Sequence, residues 1–230
     1  PLHDVVCTNC GQCVNRCPTG ALTERNYIEE VWDAIYDPNK FVVVQTAPAV
    51  RIALAEDLGF DPGLRVTGKM VSALRRLGFN KVLDTDFSAD LTIIEEGNEL
   101  LTRLKKVLVD KDESVALPMM TSCSPGWIKF QEHLFPGLLK NLSTCKSPQQ
   151  MFGALAKTYY ANKINIKAQD MIVVSIMPCT AKKYESNRPE MRDSGYQDVD
   201  YVLTTRELAM MIRQAGIDFE KLDDEHYDSI

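Results

Sequence analysis

Short apolar runs alternating with helix-patterned segments predict an α/β fold, a mostly parallel sheet with flanking helices. Three observations carry this. Phe41–Gln45, Lys81–Asp84, Val115–Pro118 and Met171–Met177 are short runs rich in apolar residues, the pattern of buried strands. Segments of helical periodicity lie between most of them, and parallel strands need such crossovers. The chain has 230 residues, 45% of them hydrophobic, which is enough for one sizeable core and a small appendage.

Taken in order, the first 22 residues form a cysteine-rich appendage. Residues 26–37 form a linking helix stopped by Asp37-Pro38-Asn39. The strand Phe41–Gln45 ends at Thr46-Ala47-Pro48-Ala49. Thr67 is placed to cap a helix whose apolar face holds Met70, Val71, Leu74 and Leu77 and which Gly78 closes. Lys81–Asp84 is the next strand, then a helix from about Ser88 to Leu108, then a strand at Val115–Pro118. Met171–Met177 leads straight into Pro178-Cys179. Tyr201–Leu203 precedes Thr204-x-x-Glu207, a capping box that opens a helix to Ala215, with Gly216 as its C-cap. We therefore divide the chain into residues 1–25 and 26–230. In parallel sheets, sites gather at the carboxyl ends of strands, and Cys123 and Cys179 both follow predicted strands.

The net charge is −6 with no basic patch, which argues against a nucleic-acid partner. No apolar run approaches the roughly 18 residues of a membrane span, and no signal-peptide pattern is present. Seven cysteines, four of them within eleven residues, favour metal ligands in a reducing cytoplasm over a disulfide framework. The first residue is Pro1, six residues before the first of these cysteines. The sequence is therefore expected to be cut from a longer one.

Cys7-x-x-Cys10-x-x-Cys13-x-x-x-Cys17-Pro18 is an iron–sulfur ligand run, the end of a small ferredoxin-like module. Three cysteines at two-residue spacing wrap one [4Fe–4S] cubane, and Gly11 lets backbone come close to it. The cysteine before proline ligates the other cluster in two-cluster ferredoxins. Cys7, Cys10 and Cys13 are thus assigned to one cluster and Cys17 to a partner cluster. The remaining ligands of both are expected before Pro1. Zinc is the alternative, but zinc sites usually pair two separated C-x-x-C knuckles.

Two later motifs contain single cysteines, Thr121-Ser-Cys123-Ser124-Pro-Gly-Trp127 and Met177-Pro-Cys179-Thr-Ala-Lys182-Lys-Tyr-Glu185. Each thiol is expected near a helix N-terminus, where thiolate is favoured. Lys182 adds a cation for an anionic ligand. With these motifs the chain resembles the [FeFe]-hydrogenases along its whole length, including Asp90–Glu99, Lys146–Gln150 and Thr204–Ala209. The resemblance implies an H-cluster: a [4Fe–4S] cubane joined to a di-iron subsite carrying CO, cyanide and a dithiolate. It also implies reversible interconversion of H2 with protons and electrons.

By position, Cys179 resembles a cubane ligand and Lys182 the lysine that holds a cyanide. Gln149, Met177, Ala47 and Pro48 resemble residues lining the subsite. Cys123 occupies the place of the proton-relay cysteine, and Glu96, Ser143 and Glu99 match the rest of a proton path. Glu96 and Glu99 are three apart on a predicted helix and share a face; a solvated acidic face is the plain alternative. Cys145 reads as a core or neighbouring thiol.

One departure stands out. The commonest family motif has two adjacent cysteines, a relay and then a cubane ligand, and the second is Ser124 here. Serine oxygen is a harder, poorer ligand for cluster iron. Three readings stay open: Ser124 ligates, Cys123 ligates instead of relaying, or the H-cluster does not assemble normally. The last family signature is expected after Ile230, so this stretch alone is expected to make no H2. The resemblance further implies ferredoxin or NAD(P)H-oxidising redox partner subunits in a hetero-oligomer. The alternative function is a non-catalytic relative, a redox or H2 sensor or an iron–sulfur assembly factor.

Overall fold

Consecutive residues of a strand point to opposite faces of a sheet. Val42, Val43, Val44 and Gln45 are each no more than 1% exposed, so both faces of their strand are covered. The computed structural model describes residues 5–112 and 114–230. Residues 1–4 of the predicted first module lie outside the described residues.

The elements in order are α1 (Gln12–Arg16), α2 (Ile28–Tyr36), β1 (Phe41–Thr46), α3 (Val50–Asp57), α4 (Thr67–Leu77), β2 (Lys81–Asp84) and α5 (Asp86–Leu104). Then come α6 (Pro125–Leu134), α7 (Pro148–Leu155), α8 (Ala161–Lys163), β3 (Met171–Met177), α9 (Ala181–Ser186), β4 (Tyr201–Thr204) and α10 (Thr205–Gln214). All strand pairs are parallel, in the order β2-β1-β3-β4. The predicted α/β class with a parallel sheet and flanking helices is what the structure has.

This order places a topological switch between β1 and β3. The chain leaves β1 for one side of the sheet and returns on the other. In such sheets the crevice at the carboxyl ends of the two central strands is the natural binding site. Thr46 pairs with Ile176 there, and the Ala47 amide donates to the Ile176 carbonyl at 3.0 Å. Beneath that edge lies a satisfied polar layer. Gln45 Nε2 donates to Ser175 Oγ and to the Gln149 carbonyl, and Thr85 Oγ1 donates to Gln45 Oε1. The apolar core around it runs from Val31 through the strands to Leu208, Met211 and Ile212.

The capping box at α10 forms as predicted, with Glu207 bonded to Thr204 in both directions. That helix ends at Gln214, and Gly216 follows in the left-handed region at φ 65°. Three expectations need correction. Val115–Pro118 is not a strand. Proline offers no ladder donor, and side chains take the local acceptors: Arg103 bonds the Ala116 carbonyl and Asn141 the Pro118 carbonyl. Only Met120 forms an isolated parallel bridge, to Leu142. Cys123 therefore follows irregular chain and not a strand. Thr67 is the first helical residue of α4; Val66 holds the cap position, with no side-chain cap bond. The helix predicted at 88–108 is α5 plus a π-helical turn at Lys105–Val109. No helix of the described residues is long and apolar enough to cross a membrane.

Candidate functional site

The switch point brings the predicted lining residues to one place. Ala47 and Pro48 follow β1 directly, and Met177 ends β3 and is buried. Cys179 comes two residues later, before Thr180, the N-cap of α9. Cys123 likewise precedes Ser124, the N-cap of α6, where Pro125 takes the first helical position. Both Cys123 and Ser124 are exposed.

Lys182 ties these loops together. Its Nζ donates to the Cys123 carbonyl at 2.7 Å and to Glu185 Oε2 at 2.9 Å. Glu185 is only 2% exposed and is the hub of this corner. It also accepts from Ser147 Oγ at 2.8 Å and Gln149 Nε2 at 3.0 Å. A buried carboxylate is tolerable only with such donors. Gln149 Oε1 is buried without a partner, an acceptor left for something further. The motif around Cys179 contains Glu185, but the resemblance implies no role for it. Its three-residue spacing from Lys182 was the available signal.

A second carboxylate centre lies on α5. Glu99 accepts from Ser143 Oγ at 2.7 Å, from the Thr144 amide at 3.0 Å, and from Arg103 Nη2 at 2.6 Å. Burial pushes this carboxyl up, but Ser143, Arg103 and the Thr144 amide outweigh it and hold it below the usual range. It lines a cleft of about 460 Å³ together with Glu95, Lys106, Lys140 and Cys145. Glu99 is therefore no member of a freely solvated face. Cys145 Sγ lies 3.7 Å from Glu99 Oε2, and its thiol is pushed up by burial and by the Glu99 and Glu96 charges. Glu96 Oε1 is buried without a partner. Among the described residues no hydrogen bond joins Cys123 or Glu96 to the Ser143–Glu99 pair. The structure thus unites half of the predicted path and leaves the other two residues apart.

The ferredoxin-type run presents thiols to a donor-rich backbone. The Asn9 amide donates to Cys7 Sγ at 3.4 Å. Cys10 is drawn below its ordinary value by the Gln12 amide and the Thr8 hydroxyl. Cys17 is drawn down to about 7 by the Thr19 hydroxyl and the Leu22 and Thr19 amides. Donors aimed at sulfur favour thiolate, the form that binds cluster iron. Gly11 has φ 74°, and a Cβ there would lie 2.9 Å from Thr180 Oγ1. That space is taken by the Thr180 side chain, so the missing side chain serves close packing of this loop against the Cys179 loop. No three His, Cys, Asp or Glu side chains among the described residues converge on a single-ion site, and ligands spread around a cubane are not expected to. Cys10 and Cys179 line one cavity of about 410 Å³ with Gly11, Pro178, Thr180 and Arg206. The thiolate-favouring donor set fits iron–sulfur ligation.

Comparison with known proteins agrees. Residues 40–230 match the iron only hydrogenase large subunit, C-terminal domain, and residues 5–23 match the 4Fe-4S binding domain. The NADP-reducing hydrogenase subunit HndD of Solidesulfovibrio fructosivorans is 61% identical over 99% of this chain, which spans 39% of that relative. The apo [FeFe]-hydrogenase HydA1 of Chlamydomonas reinhardtii, variant C377H, superposes with a TM-score of 0.83 at 43% identity, over 89% of this chain and 52% of that one. Protein NAR1 of Arabidopsis thaliana is 34% identical over 97% of this chain and 49% of its own length. The chain therefore spans about two fifths to one half of these proteins. It belongs to the iron-only, or [FeFe], hydrogenase family, and the two family matches support 4Fe–4S clusters and an H-cluster.

Proposed function

We propose that this chain is part of the catalytic subunit of an [FeFe]-hydrogenase that interconverts H2 with protons and electrons. One observation carries the reading: the Lys182 ammonium sits at the sheet's switch point, between the Cys123 backbone and buried Glu185. A compact cation that can re-aim its three donors suits an anionic group. The di-iron subsite, when bound, supplies the H2 chemistry. Cys179, with Cys123 or Ser124, would hold its cubane, and Lys182 a cyanide. Gln149, Met177, Ala47 and Pro48 would line it.

Protons would leave by way of Cys123, Glu96, Ser143 and Glu99. Support for the last step is the 2.7 Å bond from Ser143 to Glu99 and the open cleft beside it. Electrons would enter through the clusters of Cys7, Cys10, Cys13 and Cys17, delivered by ferredoxin or NAD(P)H-oxidising partner subunits. The module boundary near residue 25 and a cytoplasmic location belong to the same proposal.

The test is H2 evolution with reduced methyl viologen by the matured full-length protein. Activity that Cys179→Ala abolishes together with part of the iron supports the reading. Cluster loading with no H2 in either direction favours the second reading, a non-catalytic assembly factor or sensor. Ser124, in place of a second adjacent cysteine, is the feature that favours that alternative.

A further inference from the structure

Thr180 holds the N-cap position of α9, yet its side chain makes no cap bond. A threonine there ordinarily spends its hydroxyl on the helix amides. This one donates outward, to the Asn9 carbonyl at 3.1 Å. That carbonyl belongs to the peptide joining Asn9 to Cys10. Asn9 and Gly11, on either side of Cys10, both have positive φ, 56° and 74°, and so shape the turn that carries it. The Thr180 side chain also fills the space a Cβ on Gly11 would need, 2.9 Å from Oγ1 and 3.5 Å from Cγ2. Covalent chain therefore links Cys10 to Asn9 and Thr180 to Cys179, and a single hydrogen bond joins the two.

We infer that Thr180 is a positioning residue that docks the Cys7–Cys17 loop onto the Cys179 loop and so sets the electron-entry contact between them. This rests on the function proposed above. Cys7, Cys10, Cys13 and Cys17 would hold the clusters that supply electrons and Cys179 the group that would take one, with Thr180 holding the two loops in register. No bond is made or broken and no further reactant is needed. The first loop's other contacts are to different elements: Arg206 Nη1 of α10 to Asn15 Oδ1 at 3.4 Å, and a near approach of Gly126 of α6 to the Thr8 carbonyl. The hydroxyl is thus the specific element, and its methyl supplies shape.

The test compares Thr180→Val, which keeps the shape, with Thr180→Ser, which keeps the hydroxyl, in the cluster-loaded full-length protein. Loss of one neutral hydrogen bond is expected to raise amide hydrogen exchange in residues 8–15 about five-fold. It should also weaken the magnetic interaction between the reduced clusters, while iron content stays at the wild-type level. Thr180→Ser should restore both readouts. The inference is overturned if Thr180→Val matches wild type in exchange and magnetic interaction, or if Thr180→Ser fails as Val does. Should wild type hold no cluster at Cys179, the proposed function fails. The exchange comparison then still decides the docking.

Discussion

Glu99 and Glu185 are two solutions to one problem, a carboxylate taken out of water beside a cation on its own helix. Each accepts from a serine hydroxyl, Ser143 for one and Ser147 for the other. Each has a cation three or four residues away, Lys182 or Arg103. The cations differ in how readily they can re-aim what they give. A guanidinium carries five N–H donors in a rigid fork. Arg103 makes five bonds, two to Glu99 and one each to the carbonyls of Ala116, Lys140 and Leu142. It is fully used and acts as a strut. Lys182 makes three bonds, one to the Cys123 carbonyl and two to Glu185, so its donors are engaged as well, but an ammonium re-aims them without moving its stem. The first centre opens on a cleft and suits passing protons outward. The second is the more deeply buried, with Glu185 2% exposed, and under the proposed function it would hold an anion.

Removing each cation breaks or sharpens this contrast. Arg103→Met leaves three carbonyls and Glu99 short of donors and should cost about 3–5 kcal/mol of folding stability. Lys182→Met should cost about 1–3 kcal/mol, because Glu185 keeps Ser147 and Gln149 and the Cys123 loop is exposed. Urea unfolding of both variants measures this. The reverse order would show that Lys182 is the structural cation. Incorporation of the di-iron subsite should fall far more in Lys182→Met.

The next effect is acid sensitivity. The folded-state value of Glu99 is lowered, so its stabilising contribution is complete above the unfolded value of about 4.3. It is lost as pH falls through the folded value. Glu99→Gln should therefore flatten the acid limb of stability measured between about pH 5 and pH 2. It should also cut turnover of the full-length enzyme without loss of iron. An unchanged acid limb together with full turnover would return Glu99 to an ordinary surface role.

The smallest effect contrasts two thiols. In cluster-free protein at neutral pH, Cys17 should be alkylated well before Cys145, since donors draw the first down to about 7 and burial pushes the second up. Peptide mapping after timed iodoacetamide exposure reads the order. Equal rates would contradict the donor-rich setting described for the cysteine run.

The parallel sheet and the loop ending in Cys179 were legible because each depends on local pattern: apolar runs, a capping box, and a motif continuous in sequence. The Glu185 hub was not, since two of its partners, Ser147 and Gln149, come from α7 and its cap 36 to 38 positions earlier. The failed strand at Val115–Pro118 has the same cause. Its apolar content suggested a ladder, while its acceptors were claimed by Arg103 and Asn141 from elsewhere. The contact between Cys145 and Glu99 is likewise long-range, 46 residues apart. Periodicity reports which face is buried but not which distant side chain will meet it there.

The most direct test of the account is the infrared spectrum of the matured full-length protein, compared with Lys182→Met. The account predicts bands from bound CO and cyanide in wild type, and a shifted or missing cyanide band in the variant. A protein that loads its iron–sulfur clusters yet shows no such bands would contradict the reading of this crevice as the seat of a di-iron subsite.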